Sequence, residues 1–91
     1  MPNQRQQLTT EDFEAAKAEL SAMLSFRMKQ KGMGVMSSND EILGAIYREF
    51  TEYYESVQER LSDEEKVHEL LDIAVAALWG IASIRSGGID Y

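Results

Sequence analysis

The chain has 91 residues, with 16 Asp and Glu against nine Lys and Arg, and no cysteine. That length makes one small domain with a modest core. A net charge of −7 excludes a general nucleic-acid binder, whose surface needs an excess of cations facing the phosphates.

Without cysteine there is neither a disulfide nor a thiolate metal site, and a single histidine argues against zinc. Mg²⁺ or Mn²⁺ on carboxylate oxygens stays open. The segment MPNQRQQLTTEDF lacks the apolar stretch of a signal peptide. The most hydrophobic run, Ile73 to Ile84, is shorter than the roughly 20 residues that span a bilayer. These features predict a cytoplasmic protein that binds neither membrane nor nucleic acid.

Residues 1–8 are polar and read as a flexible tail. Thr9 and Thr10 followed by Glu11 and Asp12 predict a helix start, with hydroxyl caps and then acids suited to the positive end of the helix dipole. Phe13, Ala16, Leu20, Met23, Leu24 and Met28 recur at helical spacing. Lys29, Lys31 and Gly32 predict the C-terminus of this first helix. GMGVMSSND is a loop, with Val35 and Met36 expected to tuck over the core. Ser38 to Glu41 is a capping-box pattern opening a second helix through Leu61, with Ile42, Ile46, Phe50, Tyr53, Val57 and Leu61 as its inner face. Acids at Glu41, Glu49, Glu52, Glu55 and Glu59 crowd its other side.

Ser62 and Glu65 repeat the capping pattern, so a short turn leads into a third helix and makes helices two and three antiparallel neighbours. This helix ends at Arg85 or Ser86, where Gly87 and Gly88 stop it, and residues 87–91 form a tail. It is apolar nearly all round, which predicts burial. A narrow strip of Glu65, Glu69, Asp72, Ala76, Gly80 and Ser83 is the exception. Its small residues invite close approach by a partner helix or a ligand, and Gly44 and Tyr47 predict a covered outer face on helix two. The expected fold is all-α: three helices in one domain over residues 9–86, an antiparallel bundle completed by oligomerisation.

Glu49 and Glu52 are three apart on helix two, and Glu69 and Asp72 are three apart on helix three. Facing each other, they bring four carboxylates to one point, a recurrent way for helices to hold a hard cation, here Mg²⁺ or Mn²⁺. The alternative for Glu69 and Asp72 is pairing with a base such as Arg48 or Lys66, and His68, four before Asp72, is expected to pair with it.

Glu49-Phe50-Thr51-Glu52, 16 further residues, then Glu69-Leu70-Leu71-Asp72 resembles the signature of MazG-like nucleotide pyrophosphohydrolases, members of the all-α NTP pyrophosphohydrolase superfamily. ILGAIYREFTEYYESV and HELLDIAVAALWGIASI are similar to the family's two acidic helices, and the likeness spans residues from about 20 to 85. It implies a Mg²⁺-dependent hydrolase that converts an NTP or dNTP to monophosphate and pyrophosphate. Glu49, Glu52, Glu69 and Asp72 are then metal ligands and catalytic residues. It further implies phosphate contacts from cations such as Arg27, Lys29, Lys31 and Arg85, and a base stacked on a residue such as Phe26, Met33, Tyr47, Tyr54 or Trp79. The expected assembly is a homo-oligomer, a dimer or tetramer. Arg48 stands where the signature usually carries another acid; it is read as an ion pair with Glu52 or as a phosphate contact. That departure keeps a second function class open, a non-catalytic helical-bundle interaction protein.

Overall fold

A computed structural model describes residues 5–89; the outermost parts of the two expected tails, residues 1–4 and 90–91, lie outside the described residues. Three helices account for the architecture: α1 (Thr10–Lys31), α2 (Asn39–Gln58) and α3 (Asp63–Ser86), with no strand among the described residues.

The caps lie where the sequence puts them. The Thr9 hydroxyl accepts from the Asp12 N–H at 3.1 Å while the Asp12 carboxylate accepts from the Thr9 N–H at 2.8 Å. Ser62 and Glu65 form the same reciprocal pair at the start of α3. At Ser38 only half of the box forms: the hydroxyl caps Glu41, but the Glu41 carboxylate turns to the Ser37 N–H. Gly32 (φ 79°) and Gly87 (φ 80°) close α1 and α3 in backbone conformations open to glycine.

Helix α2 ends earlier than expected. It stops at Gln58, Arg60 takes a left-handed φ of 56°, and the Leu61 N–H bonds back to the Ser56 carbonyl at 3.0 Å. This is a Schellman closure with arginine where glycine is usual, so Leu61 belongs to the connection. The inner face shifts with it. Phe50 and Val57, expected inside, are 51% and 43% exposed, whereas Ser56 is 1% exposed with its hydroxyl on the Tyr53 carbonyl. Ile42, Ile46 and Tyr53 are half-buried as expected.

Both other helices pack on α3. Its burial is the reverse of the simple hydropathy expectation. The strip of small residues is the buried face: Ala76, Gly80 and Ser83 lie inward with Val75, while Leu70, Leu78, Ile81 and Ile84 are exposed. A Cβ on Gly80 would stand 2.8 Å from Ile42 Cγ2, so Gly80 is what lets α2 approach. The Met36 N–H donates to Ser83 Oγ at 2.9 Å, and Trp79 Nε1 donates to the Gly34 carbonyl at 2.7 Å, which pins the α1–α2 loop to α3. Met36 thus tucks in, but Val35 stays 51% exposed. The N-terminal half of α1, Phe13 and Ala16 included, is exposed. Gly44 and Tyr47 are uncovered within the chain.

Among the described residues, Val75 and Ala76 are the only buried apolar side chains. The molecule measures 52 × 29 × 27 Å with a radius of gyration of 15.6 Å. A compact domain of this length has about 12 Å. By length and composition α3, a helix of 24 residues whose most apolar 18-residue stretch has a mean hydropathy of 1.6, also meets the requirement for a membrane span, with 28% of that stretch buried.

Candidate functional site: a four-carboxylate cleft

Helix α2 raises Glu49 and Glu52 one turn apart, and α3 does the same for Glu69 and Asp72. The pairs converge: one carboxylate oxygen from each of the four lies within 4.8 Å of all the others. Around Mg²⁺ or Mn²⁺, with oxygens at about 2.1 Å, opposite ligands stand about 4.2 Å apart. The oxygen-only donor set suits a hard divalent cation.

Burial makes the cluster costly on its own. The Asp72 and Glu49 side chains are 11% and 16% exposed. Glu69 Oε1 is fully buried and has no hydrogen-bond partner. An unsatisfied buried acceptor costs about 1–3 kcal/mol, more when charged. Desolvation pushes the Glu49 carboxyl above its ordinary value, with the negative charges of Glu52 and Asp72 adding to the shift and Arg48 opposing it.

Two basic side chains reach Asp72. Arg27 on α1 donates from Nη2 to Asp72 Oδ1 at 2.9 Å, and His68 Nε2 lies 3.4 Å from Asp72 Oδ2. The expected partners of the α3 acids, Arg48 and Lys66, lie elsewhere. Arg48 sits 3.4 Å from its neighbour Glu49 rather than on Glu52, and Lys66 pairs with Asp63 within its own first turn. Four formal negative charges therefore face two guanidiniums, and the surplus is what a divalent cation would neutralise.

Three of the four carboxylates, Glu49, Glu52 and Asp72, line an open cleft of about 660 Å³, within the range of small-molecule sites, while Glu69 lies behind them. Arg27, Lys31 and Arg48 bring positive charge to its lining, while Val35, Met36, Val75 and Trp79 bring apolar surface. Of the expected phosphate contacts, Lys31 and Arg48 line the cleft, and Lys29 and Arg85 do not. Of the expected stacking residues only Trp79 does. Phe26, Tyr47 and Tyr54 are exposed on outer faces, and Met33 lies on a neighbouring apolar cavity of about 330 Å³. Asp40 and Glu41, from the first turn of α2, and Gly34, brought there by the folding back of the α1–α2 loop, also line the cleft, and none of the three was expected there from the sequence.

Compared with protein-family models, curated proteins and solved structures, the chain matches none of them.

Proposed function

We propose that the chain is a Mg²⁺-dependent nucleoside triphosphate pyrophosphohydrolase of the MazG-like kind, cytoplasmic and homo-oligomeric. The observation that carries this reading is the convergence of Glu49, Glu52, Glu69 and Asp72, with one Glu69 oxygen buried and unpartnered. The reading takes α2 and α3 as antiparallel neighbours. Only residues 59–62 connect them, and Ile42 near the start of α2 lies over Gly80 near the end of α3.

A triphosphate entering so acidic a cleft is repelled until its charge is offset. Glu49, Glu52, Glu69 and Asp72 would hold Mg²⁺, and the ion would supply polarisation of the phosphoryl group and a lowered pKa of water. Lys31 and Arg48, which line the same cleft, take the phosphate oxygens, and Trp79 offers the base an apolar face. A carboxylate of the cluster accepts the proton of the water that attacks the α-phosphorus. The bond to the bridging oxygen breaks, and the products are a nucleoside monophosphate and pyrophosphate.

The alternative is a non-catalytic interaction protein. Arg48 at a signature position and the exposed apolar side chains of α2 and α3 favour it. Incubation with a panel of NTPs and dNTPs, with and without Mg²⁺, decides between the two. Mg²⁺-dependent pyrophosphate release that disappears in Glu69→Gln and Asp72→Asn supports the hydrolase. No release across the panel, with those variants folded and unaltered in partner binding, supports the interaction protein.

A further inference from the structure

The cleft has two unlike ends. At one, carboxylate oxygens of Glu49 and Asp72 lie within 4.8 Å of each other. Further along the same two helices, Ile42 lies over Gly80. Asp40 and Trp79 each stand just before that second contact in the chain, so they belong to the other end, and both line the cleft. From Asp40 to Glu49 the rise along α2 is about 13 Å at 1.5 Å per residue. An extended nucleotide covers a comparable distance from its α-phosphate to the outer edge of its base. Gly44 and Ala45 line the cleft between them, and a Cβ on Gly44 would meet open space, so α2 leaves room along this stretch.

Charge divides in the same way. Arg27 reaches Asp72 and Arg48 reaches Glu49, so both guanidiniums belong to the carboxylate end. Apart from Lys31, which the hydrolase reading gives to the phosphates, the far end offers acceptors. Two of these are already engaged: the Gly34 carbonyl by the indole N–H of Trp79, and the Glu41 carboxylate by the N–H and hydroxyl of Ser37. Asp40 is in no ion pair among the described residues. An ionised carboxylate only accepts hydrogen bonds, so what it asks of a ligand is a donor.

We propose that Asp40 selects the base, and that the substrates are nucleoside triphosphates of adenine, cytosine or guanine rather than of uracil or thymine. This selection rests on the hydrolase reading, which puts the phosphates at the carboxylate end and the base over Trp79. Adenine, cytosine and guanine each carry an exocyclic amino group whose N–H a carboxylate can accept. Uracil and thymine offer only an N3–H held between two carbonyl oxygens, and those oxygens turn lone pairs toward Asp40. A site that hydrogen-bonds a substrate N–H rejects an analogue lacking it by four orders of magnitude when the site is buried. Asp40 is exposed, and water tempers the penalty to about tenfold. Asp40 also lies in the first turn of α2, where an acid suits the helix dipole. Base selection and helix support are separable, because only the first depends on which nucleotide is offered.

The test is calorimetric binding, with Mg²⁺, of the α,β-methylene analogues of dATP, dCTP, dGTP, dTTP and dUTP, in which the scissile bridge is replaced by carbon. Wild type should bind the three amino-bearing analogues at least tenfold more tightly than the other two. Asp40→Asn, whose amide donates as well as accepts, should stay helical and bring all five within about threefold. Equal binding of the five by wild type overturns the proposal. So does an Asp40→Asn chain with a lower Tm and the wild-type order of bases, the result of a role confined to the helix end. Binding without discrimination leaves the hydrolase reading standing, whereas no binding of any analogue overturns both.

Discussion

Arg27 and Asp72, 45 residues apart in the chain, meet at 2.9 Å with side chains only 21% and 11% exposed. The pair fastens α1 to the carboxylate cluster and gives Asp72 its closest countercharge in the absence of a divalent cation.

Replacing Arg27 by methionine keeps the stem's volume and removes the charge. Breaking a pair this secluded leaves Asp72 with only His68, and the loss is expected to cost about 1–3 kcal/mol, less than for a fully buried pair. Mg²⁺ should restore more stability to Arg27→Met than it adds to wild type, because the ion replaces the missing charge. Chemical denaturation with and without 5 mM Mg²⁺, on the order used for ordinary divalent sites, reads both effects. Equal Mg²⁺ stabilisation of the two proteins would count against Arg27 and a cation sharing Asp72.

Glu49 has the opposite problem, too little compensation. Its carboxyl titrates above the ordinary 4.5 in the folded chain, first because of desolvation and then because of Glu52 and Asp72. A carboxyl raised on folding contributes stability that is fully present below its unfolded value and lost as pH rises through the folded value. Metal-free Glu49→Gln should therefore equal wild type below pH 4.5 and become the more stable of the two as pH rises above it. Tm profiles of both proteins in chelator measure the difference. A variant less stable than wild type at neutral pH would contradict the assignment.

Gly80 and Ile42 carry the contact between α2 and α3. Alanine is ordinarily about 1 kcal/mol better than glycine in a helix, yet the new methyl group would stand 2.8 Å from Ile42 Cγ2. Gly80→Ala should thus destabilise, by about 1–3 kcal/mol as an overpacked contact does. Ile42→Ala in the same chain should recover part of the loss, with a coupling of about 0.5–3 kcal/mol in a double-mutant cycle. Additive effects would mean that the two side chains do not share this contact.

The sole tryptophan lines the cleft and holds the α1–α2 loop through Gly34. Trp79→Phe keeps an aromatic ring, though a smaller one, and removes the donor to Gly34, at a cost of about 1 kcal/mol for the hydrogen bond alone. In wild type, indole fluorescence should change as a nucleoside triphosphate is added with Mg²⁺ and stay constant with Mg²⁺ alone. A signal indifferent to every nucleotide tried would place the ligand away from Trp79.

The helix ends were legible because caps are local. Thr9, Ser38, Ser62, Gly32 and Gly87 each act within a few residues of themselves, and each stands at a helix boundary. Arg60 escaped notice because nothing in its side chain advertises a left-handed backbone. The two acid pairs were also legible, since i, i+3 spacing fixes a shared face, and the structure brings them together. The faces of α2 and α3 were misjudged for a physical reason. Hydropathy marks which side chains gain by leaving water, but it does not say whether the cover belongs to the same chain. The apolar positions Phe50, Val57, Ile81 and Ile84 therefore read as core and stand outside, whereas the close approach that the small residues of α3 invite is found at Gly80, against Ile42. Arg27–Asp72 and Trp79–Gly34 join residues 45 apart and leave no periodic trace.

The cation site is the central claim, and Mn²⁺ binding followed by electron paramagnetic resonance tests it without assuming a nucleotide. Wild-type protein should immobilise Mn²⁺ at sub-millimolar concentration and release it to excess Mg²⁺, and Glu69→Gln, still helical, should bind at least tenfold more weakly. Free Mn²⁺ throughout a titration to several millimolar, or binding unchanged in Glu69→Gln, would contradict the account.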